Sequence, residues 1–158
     1  MKVNPVGRLL SEVKRAYLAG LIDGDGAIMA SIEPHKEKKF KFRIRVSVKV
    51  TLSDRNDITW LRELSNVGYV RENRRTFEWI VRDKQEVKYV LGMITSYLHG
   101  KRRQGILAKK VLEHKVDTRK SLYQAACLAD TLSTFNVRSK KRRKNFASMI
   151  RKVFPVTT

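Results

Sequence analysis

The chain has 158 residues, of which 42% are apolar, enough for one domain with a real core. Its formal charge of +20 is far more than solubility needs and points to a polyanionic partner, most simply nucleic acid. No apolar run approaches a membrane span, and no basic helix carries a long clean apolar face, so a membrane partner is excluded. The opening residues hold no apolar signal core, which makes an intracellular protein the expectation. A single cysteine, Cys127, allows no internal disulfide, and its apolar setting reads as packing.

Ser11 is a good N-cap for a helix running to Asp23, with Glu12 in the favourable first turn. Leu18, Leu21 and Ile22 supply bulk at helical spacing, while Ala16, Gly20 and Gly24 recur every fourth residue as a smooth stripe. Glycine inside a helix costs about 0.8–1.0 kcal/mol relative to alanine, so Gly20 needs a reason, and close approach of another backbone is one. Asp23 and Asp25 fall at the helix C-terminus, where the dipole disfavours carboxylates. Gly26, together with Gly24, is expected to let the chain leave the helix through positive φ. Two carboxylates at such an end suit a divalent cation; the plainer reading is a polar turn behind a buried helix.

Ala27 to Pro34 alternates as a half-buried strand, and Pro34 to Lys39 is a charged connection. Phe40 to Leu52 alternates most clearly. Phe42, Ile44, Val46, Val48 and Val50 form its apolar face, and Lys41, Arg43, Arg45, Ser47, Lys49 and Thr51 the other. Four of those six are cations and none is an acid, which favours phosphate and base contact over a solvated face. Asp57 is the expected N-cap of a helix to Asn66 that carries Ile58, Leu61 and Leu64 inward. Tyr69–Asn73 and Thr76–Arg82 read as a hairpin joined at Arg74 and Arg75. From Asp83 onward the pattern is helical, with breaks at His99–Lys101, after His114 and at Asn136–Arg138. Ser139 is the expected cap of a last helix opened by the cations of residues 140–144, read either as a solvated, self-repelling end or as a phosphate-contacting flank.

The run Leu18-Ala-Gly-Leu-Ile-Asp-Gly-Asp-Gly26 resembles the motif of LAGLIDADG homing endonucleases, departing from it only by Gly24 for alanine. The strands that follow, and Gly68-Tyr-Val-Arg71, look like the same family, so the resemblance covers residues 12–110. It implies a mixed α+β fold: an αββαββα core with an antiparallel four-stranded DNA-binding sheet and C-terminal helices, in one domain over residues 1–158. It implies a homodimeric, intron-encoded endonuclease that hydrolyses both strands of a long pseudo-palindromic duplex with magnesium or manganese, leaving staggered ends.

By the same resemblance Asp25 binds the metal, with the Gly24 carbonyl as a further ligand, and Asp23 is structural. The motif helices meet at the dimer axis through Ala16, Ala19, Gly20 and Gly24. A lysine that holds active-site water and stabilises phosphate charge falls on Lys101; a surface lysine in a basic loop is the rival reading. The position that orients the attacking water falls on Leu52, which cannot do so, leaving Ser53, Asp54 or Arg55 as substitutes. Sheet alternation nominates Ser31, Glu33, Arg43, Arg45, Ser47 and Lys49 on the first hairpin as DNA contacts. It nominates Arg71, Asn73, Glu78, Ile80 and Arg82 on the second, with His35 and Lys38 at the strand tips. Arg and Lys read guanine, Asn adenine and Glu cytosine. A binding protein of the same fold, either an intron-RNA maturase or a regulator that no longer cuts, is the alternative.

Overall fold

The Ser11 hydroxyl accepts the Lys14 N–H at 3.3 Å and starts α1, Glu12–Asp25. The helix runs two residues past Asp23, and Gly26 N–H closes it on the Ile22 carbonyl. The computed structural model describes residues 6–136 and 145–155. Gly26 leaves the helix in an extended conformation, φ −101°, which corrects the expectation of positive φ. Its glycine identity has a steric cause instead: a Cβ there would lie 2.7 Å from Ile22 Cα. Gly24 stays inside the helix.

Four strands follow the expected alternation: β1 Gly26–Pro34, β2 Phe42–Leu52, β3 Tyr69–Asn73 and β4 Thr76–Val81. They form one antiparallel sheet in the order β1-β2-β4-β3. Ile28, Ala30, Ile32, Val46, Val48, Val50, Trp79 and Val81 are buried on one face. The register pairs Gly26 with Val50, Val48 with Val81 and Val50 with Trp79, so these side chains fall in rows beneath the helices. Burial of a large apolar side chain stabilises by roughly 1.5–3 kcal/mol, which makes this layer the main source of stability. Trp79 is fully buried, and its indole N–H donates to the Val67 carbonyl at 2.9 Å.

Helix α2, Arg55–Ser65, turns Ile58, Leu61 and Leu64 inward as expected. Its cap is Asp54, whose carboxylate accepts Asn56 N–H at 2.7 Å, not Asp57, which lies within the first turn. Asp83 caps α3, Lys84–Ile94, by accepting N–H bonds from Gln85 and Glu86. A short 3-10 turn, Thr95–Tyr97, leads to α4, Arg102–Glu113. Thr118 and Ser121 interlock their hydroxyls at the start of α5, Arg119–Asn136. The last helix, α6, is Phe146–Val153, capped by Asn145 and by the Asp130 carboxylate of α5, which accepts Phe146 and Ala147 N–H. Ser139 and the 140–144 cation run lie outside the described residues. Helices α5 and α6 form a second core with the outer sheet, through Ile32, Leu122, Ala126 and Ile150.

Gly68 sits at φ +76°, and a Cβ there would lie 2.6 Å from the Ile80 carbonyl oxygen and 2.8 Å from Trp79 Nε1. Strain and clash add, so Gly68→Ala is expected to cost about 2–4 kcal/mol, read as a lowered thermal midpoint with unchanged far-UV dichroism before melting.

Candidate active site and nucleic-acid interface

Three segments meet at the end of α1. The first is the helix end itself. The second is the turn after β2, because Gly26 pairs with Val50 and the next residues of β2 therefore run beside Asp25. The third is the loop between the 3-10 turn and α4. Asp23 binds that loop with both carboxylate oxygens: Oδ2 accepts His99 N–H at 2.8 Å and Oδ1 accepts Lys101 N–H at 2.8 Å. The Lys101 ammonium donates back to the Asp23 main-chain carbonyl. Burial pushes the Asp23 carboxyl up, but the N–H groups of His99, Lys101 and Gly100 and the Lys101 charge outweigh it, so its pKa lies below the ordinary range.

Asp25 differs. It is exposed, and its carboxylate has no hydrogen-bond or ion-pair partner among the described residues. No three His, Cys, Asp or Glu side chains converge on a metal-binding cluster among those residues. A hard cation here would be held by Asp25, by the free carbonyls at the helix end, Gly24 among them, and by oxygens from outside the chain. That donor set suits magnesium, which takes one or two carboxylates and completes its shell from water and phosphate.

The water-orienting position remains apolar: Leu52 ends β2, paired with Phe77. Of the three substitutes, Asp54 is committed to capping α2. Ser53 and Arg55 are exposed with no side-chain partner among the described residues.

The outward face of α1 carries Ala16, Gly20 and Gly24, all exposed. A Cβ added at Gly20 or Gly24 meets nothing within 4 Å, so this chain's own packing does not require glycine at either place. Ala19 is fully buried in the chain's own core beside Leu18 and Ile22, which removes it from any surface for a partner. Three apolar residues absent from the sequence expectation stand beside the stripe. Val13 is 79% exposed, and Tyr17 meets Trp60 edge-on at 5.6 Å. Trp60 had a sequence signal: it points away from the Ile58, Leu61 and Leu64 face of α2.

On the open face of the sheet, Ser31, Ser47, Arg45, Lys49, Arg71 and Asn73 line up as the alternation requires. His35, Lys38 and Arg82 lie at or just beyond the strand ends. Glu33 is not a free base reader; it accepts Arg43 at 2.8 Å and lies 3.8 Å from Arg45. The Arg43 bond, opposed by burial and aided by the Arg45 charge, lowers its pKa. Glu78 and Ile80 need correction. Both share this face, but Glu78 is 1% exposed and Ile80 2%. The Glu78 carboxylate accepts Lys49 at 2.9 Å, Arg71 and Asn73, while Ile80 is flanked by Lys49 and Tyr69 on the neighbouring strands. Neither side chain is open to solvent; Glu78 instead holds Lys49 and Arg71 on that face.

Residues 18–112 match the family model described as LAGLIDADG endonuclease. The chain belongs to this family. It is 28% identical over 144 residues to DNA endonuclease I-CreI of Chlamydomonas reinhardtii, covering 87% of this chain and 86% of that one. It is 31% identical over 124 residues to DNA endonuclease I-CvuI of Chlorella vulgaris, covering 75% and 77%. The crystal structure of I-CvuI with its target and calcium superposes with a TM-score of 0.80 at 28% identity, over 92% of this chain and 98% of that one. An archaeal relative, I-Vdi141I complexed with DNA, gives 0.77 at 18% identity and shows the shared fold alone. The αββαββα core and four-stranded antiparallel sheet implied by the LAGLIDADG motif are thus the observed architecture, with the motif as α1 and its last acid at the convergence of the three segments.

The cluster around Glu78 makes stability sensitive to acid. Burial raises this carboxyl, but the bonds from Lys49, Arg71 and Asn73 prevail and lower its pKa from 4.5 to about 2. A depressed carboxyl gives stability that is complete above its unfolded value and is lost as pH falls through the folded one. Between pH 4.5 and about 2 the chain is therefore expected to lose about 2–3 kcal/mol through this group. Urea midpoints across that range check it, and Glu78→Gln is expected to flatten the acid limb.

Proposed function

We propose that the chain is a site-specific double-strand DNA endonuclease of the homing type that acts as a homodimer with a divalent metal. The supporting observation is the split between the two motif acids: Asp23 is engaged by the chain's own N–H groups, and Asp25 is exposed without a partner among the described residues. Hydrolysis of a phosphodiester needs a held water, neutralisation of charge growing on phosphorus, and help for the leaving oxygen. A divalent metal supplies all three when bound. Asp25 is the carboxylate that would hold it, with Mg2+ or Mn2+ both compatible with an oxygen donor set. Lys101, the N-cap of α4, has its ammonium held at the end of α1 by the Asp23 carbonyl and would stabilise the charge growing on phosphate. Lys49 and Arg71, braced by Glu78, and Arg43 and Arg45, braced by Glu33, face the duplex.

One Asp25 per chain serves one strand, so a double-strand cut calls for two copies related by a two-fold axis. The surface for that axis is the outer face of α1: Val13, Ala16, Tyr17, Gly20 and Gly24, with Trp60 at its edge. Gly20 and Gly24 gain a purpose there, since a second backbone can approach where no Cβ stands. Gly20→Leu is expected to leave the fold intact, sediment as a monomer and cut no duplex.

A second reading has one observation in its favour. Leu52 offers no hydrogen bond to a water, which suits a non-cleaving DNA-binding protein or an RNA maturase on the same scaffold.

The deciding experiment is a cleavage selection. Purified protein and an Asp25→Asn variant are incubated with magnesium and a library of long two-fold-symmetric duplexes. Discrete staggered cuts by the parent and none by the variant are expected. Retained duplex binding with no cutting by either protein overturns the nuclease reading in favour of the second one, and tighter binding of intron RNA than of duplex separates maturase from regulator.

A further inference from the structure

Helix α4 begins without a side-chain cap of its own. Its N-cap residue is Lys101, whose side chain makes no capping bond. Free N–H groups at a helix start attract an anion, and the one present comes from a different element: Asp23, the third-last residue of α1. The clamp is two-pronged. One oxygen takes His99 N–H, the other Lys101 N–H, each at 2.8 Å, so the three-residue loop His99-Gly-Lys101 is fixed at both ends. Gly100 lies between them, with its Cβ position 3.8 Å from Asp23 Oδ1. The Lys101 side chain then folds back to the Asp23 carbonyl, one of the open acceptors at the end of α1. Main chain and ammonium of Lys101 are therefore both fastened to one residue, two positions before Asp25.

We infer that Asp23 is the positioning residue of Lys101: it sets where that ammonium stands relative to Asp25, and touches neither metal nor DNA itself. This rests on the nuclease reading for the role of Lys101. A lysine stem has four rotatable carbons, and an unfixed loop would add backbone freedom. With both held, the ammonium enters the reaction already placed. Loss of the clamp misplaces the charge without removing it, which affects turnover rather than duplex affinity.

The test uses the full chain and the duplex recovered by the selection above. Asp23→Asn keeps the size of the side chain and one amide oxygen as acceptor but loses the second, so the loop is released at one end. With folding confirmed by its thermal melt, the variant is expected to lower kcat about 10- to 100-fold and leave KM within about threefold. A second readout needs no activity: amine acylation followed by peptide mass spectrometry, without DNA. Lys101 is expected to label several-fold faster in Asp23→Asn than in the parent, while Lys109 and Lys110 on the same helix label equally in both.

Unchanged Lys101 labelling overturns the clamp. Faster labelling with unchanged kcat overturns the claim that the clamp serves the reaction. A parent that cuts no duplex overturns the nuclease reading and with it the catalytic purpose, while the labelling still decides whether Asp23 holds Lys101. A matched rise in KM and fall in affinity shows a role in duplex binding and overturns the inference as well.

Discussion

The exchange between the end of α1 and the start of α4 is the interaction on which the site depends. A helix C-terminus is a poor place for a carboxylate, and α1 puts two there. Asp23 escapes the penalty by reaching the positive start of another helix, and Lys101 of that helix reaches the negative end of α1 in return. Each helix thus supplies a capping group to the other. Asp25, one position past Gly24, has no such exit. A carboxylate fixed by a rigid helix, facing solvent at a negative helix end, lowers its energy most by meeting a cation. The polar-turn reading of the motif fits Asp23, whose carboxylate is spent on the chain's own N–H groups; Asp25 is the acid left for the metal proposed above.

The same logic governs the sheet. A strongly cationic face repels itself unless anions are set into it. Glu33 and Glu78 do this at separate places, one between Arg43 and Arg45, the other beneath Lys49, Arg71 and Asn73. Each bond fixes a long side chain in advance, and so would remove part of the ordering cost of the duplex binding proposed above. The Glu78 carboxylate stays below its cations, while Glu33 lies level with the two arginines it holds; two acids among so many cations leave the outward potential positive. Charge excess and charge order are different properties, and this face has both.

Much of this could be read from residue order, and the failures have physical causes. Strand alternation correctly put Glu78 and Ile80 with Lys49 and Arg71, because period two follows from backbone geometry. It could not say that Glu78 is covered, since the cover needs Lys49 of β2, 29 positions away, to close over it together with Arg71 and Asn73 of its own hairpin. Ala19 shows the helical counterpart. One residue along a helix is a turn of about 100°, so Ala19 leaves the Ala16–Gly20 stripe and enters the core, though its composition matches the stripe. Asp54 and Asp57 are chemically equal caps, and only the point where β2 stops pairing decided between them. The glycine of Gly26 was legible as an exit from α1 but not its reason, because the contact with Ile22 exists only once the helix closes. Lys101 could be placed at the site only through the motif's resemblance: it lies 78 positions from Asp23, and no local pattern spans that distance.

Helix α1 carries three duties on fourteen residues, and they constrain one another. Leu18, Ala19 and Ile22 anchor its inner side in the core with no exposed surface to speak of. Ala16, Gly20 and Gly24 keep its outer side bare. Asp23 and Asp25 occupy its end, one turned to α4 and one to solvent. A rotation of the helix about its axis that improved any one of these would spoil the other two. The inner packing therefore sets the azimuth of the bare stripe and of both acids together. In the two-fold assembly proposed for this chain, the distance between the two Asp25 carboxylates, and with it the stagger of the cut, is fixed by how closely two glycine-faced helices approach. The core of each subunit is then part of the ruler that measures the DNA.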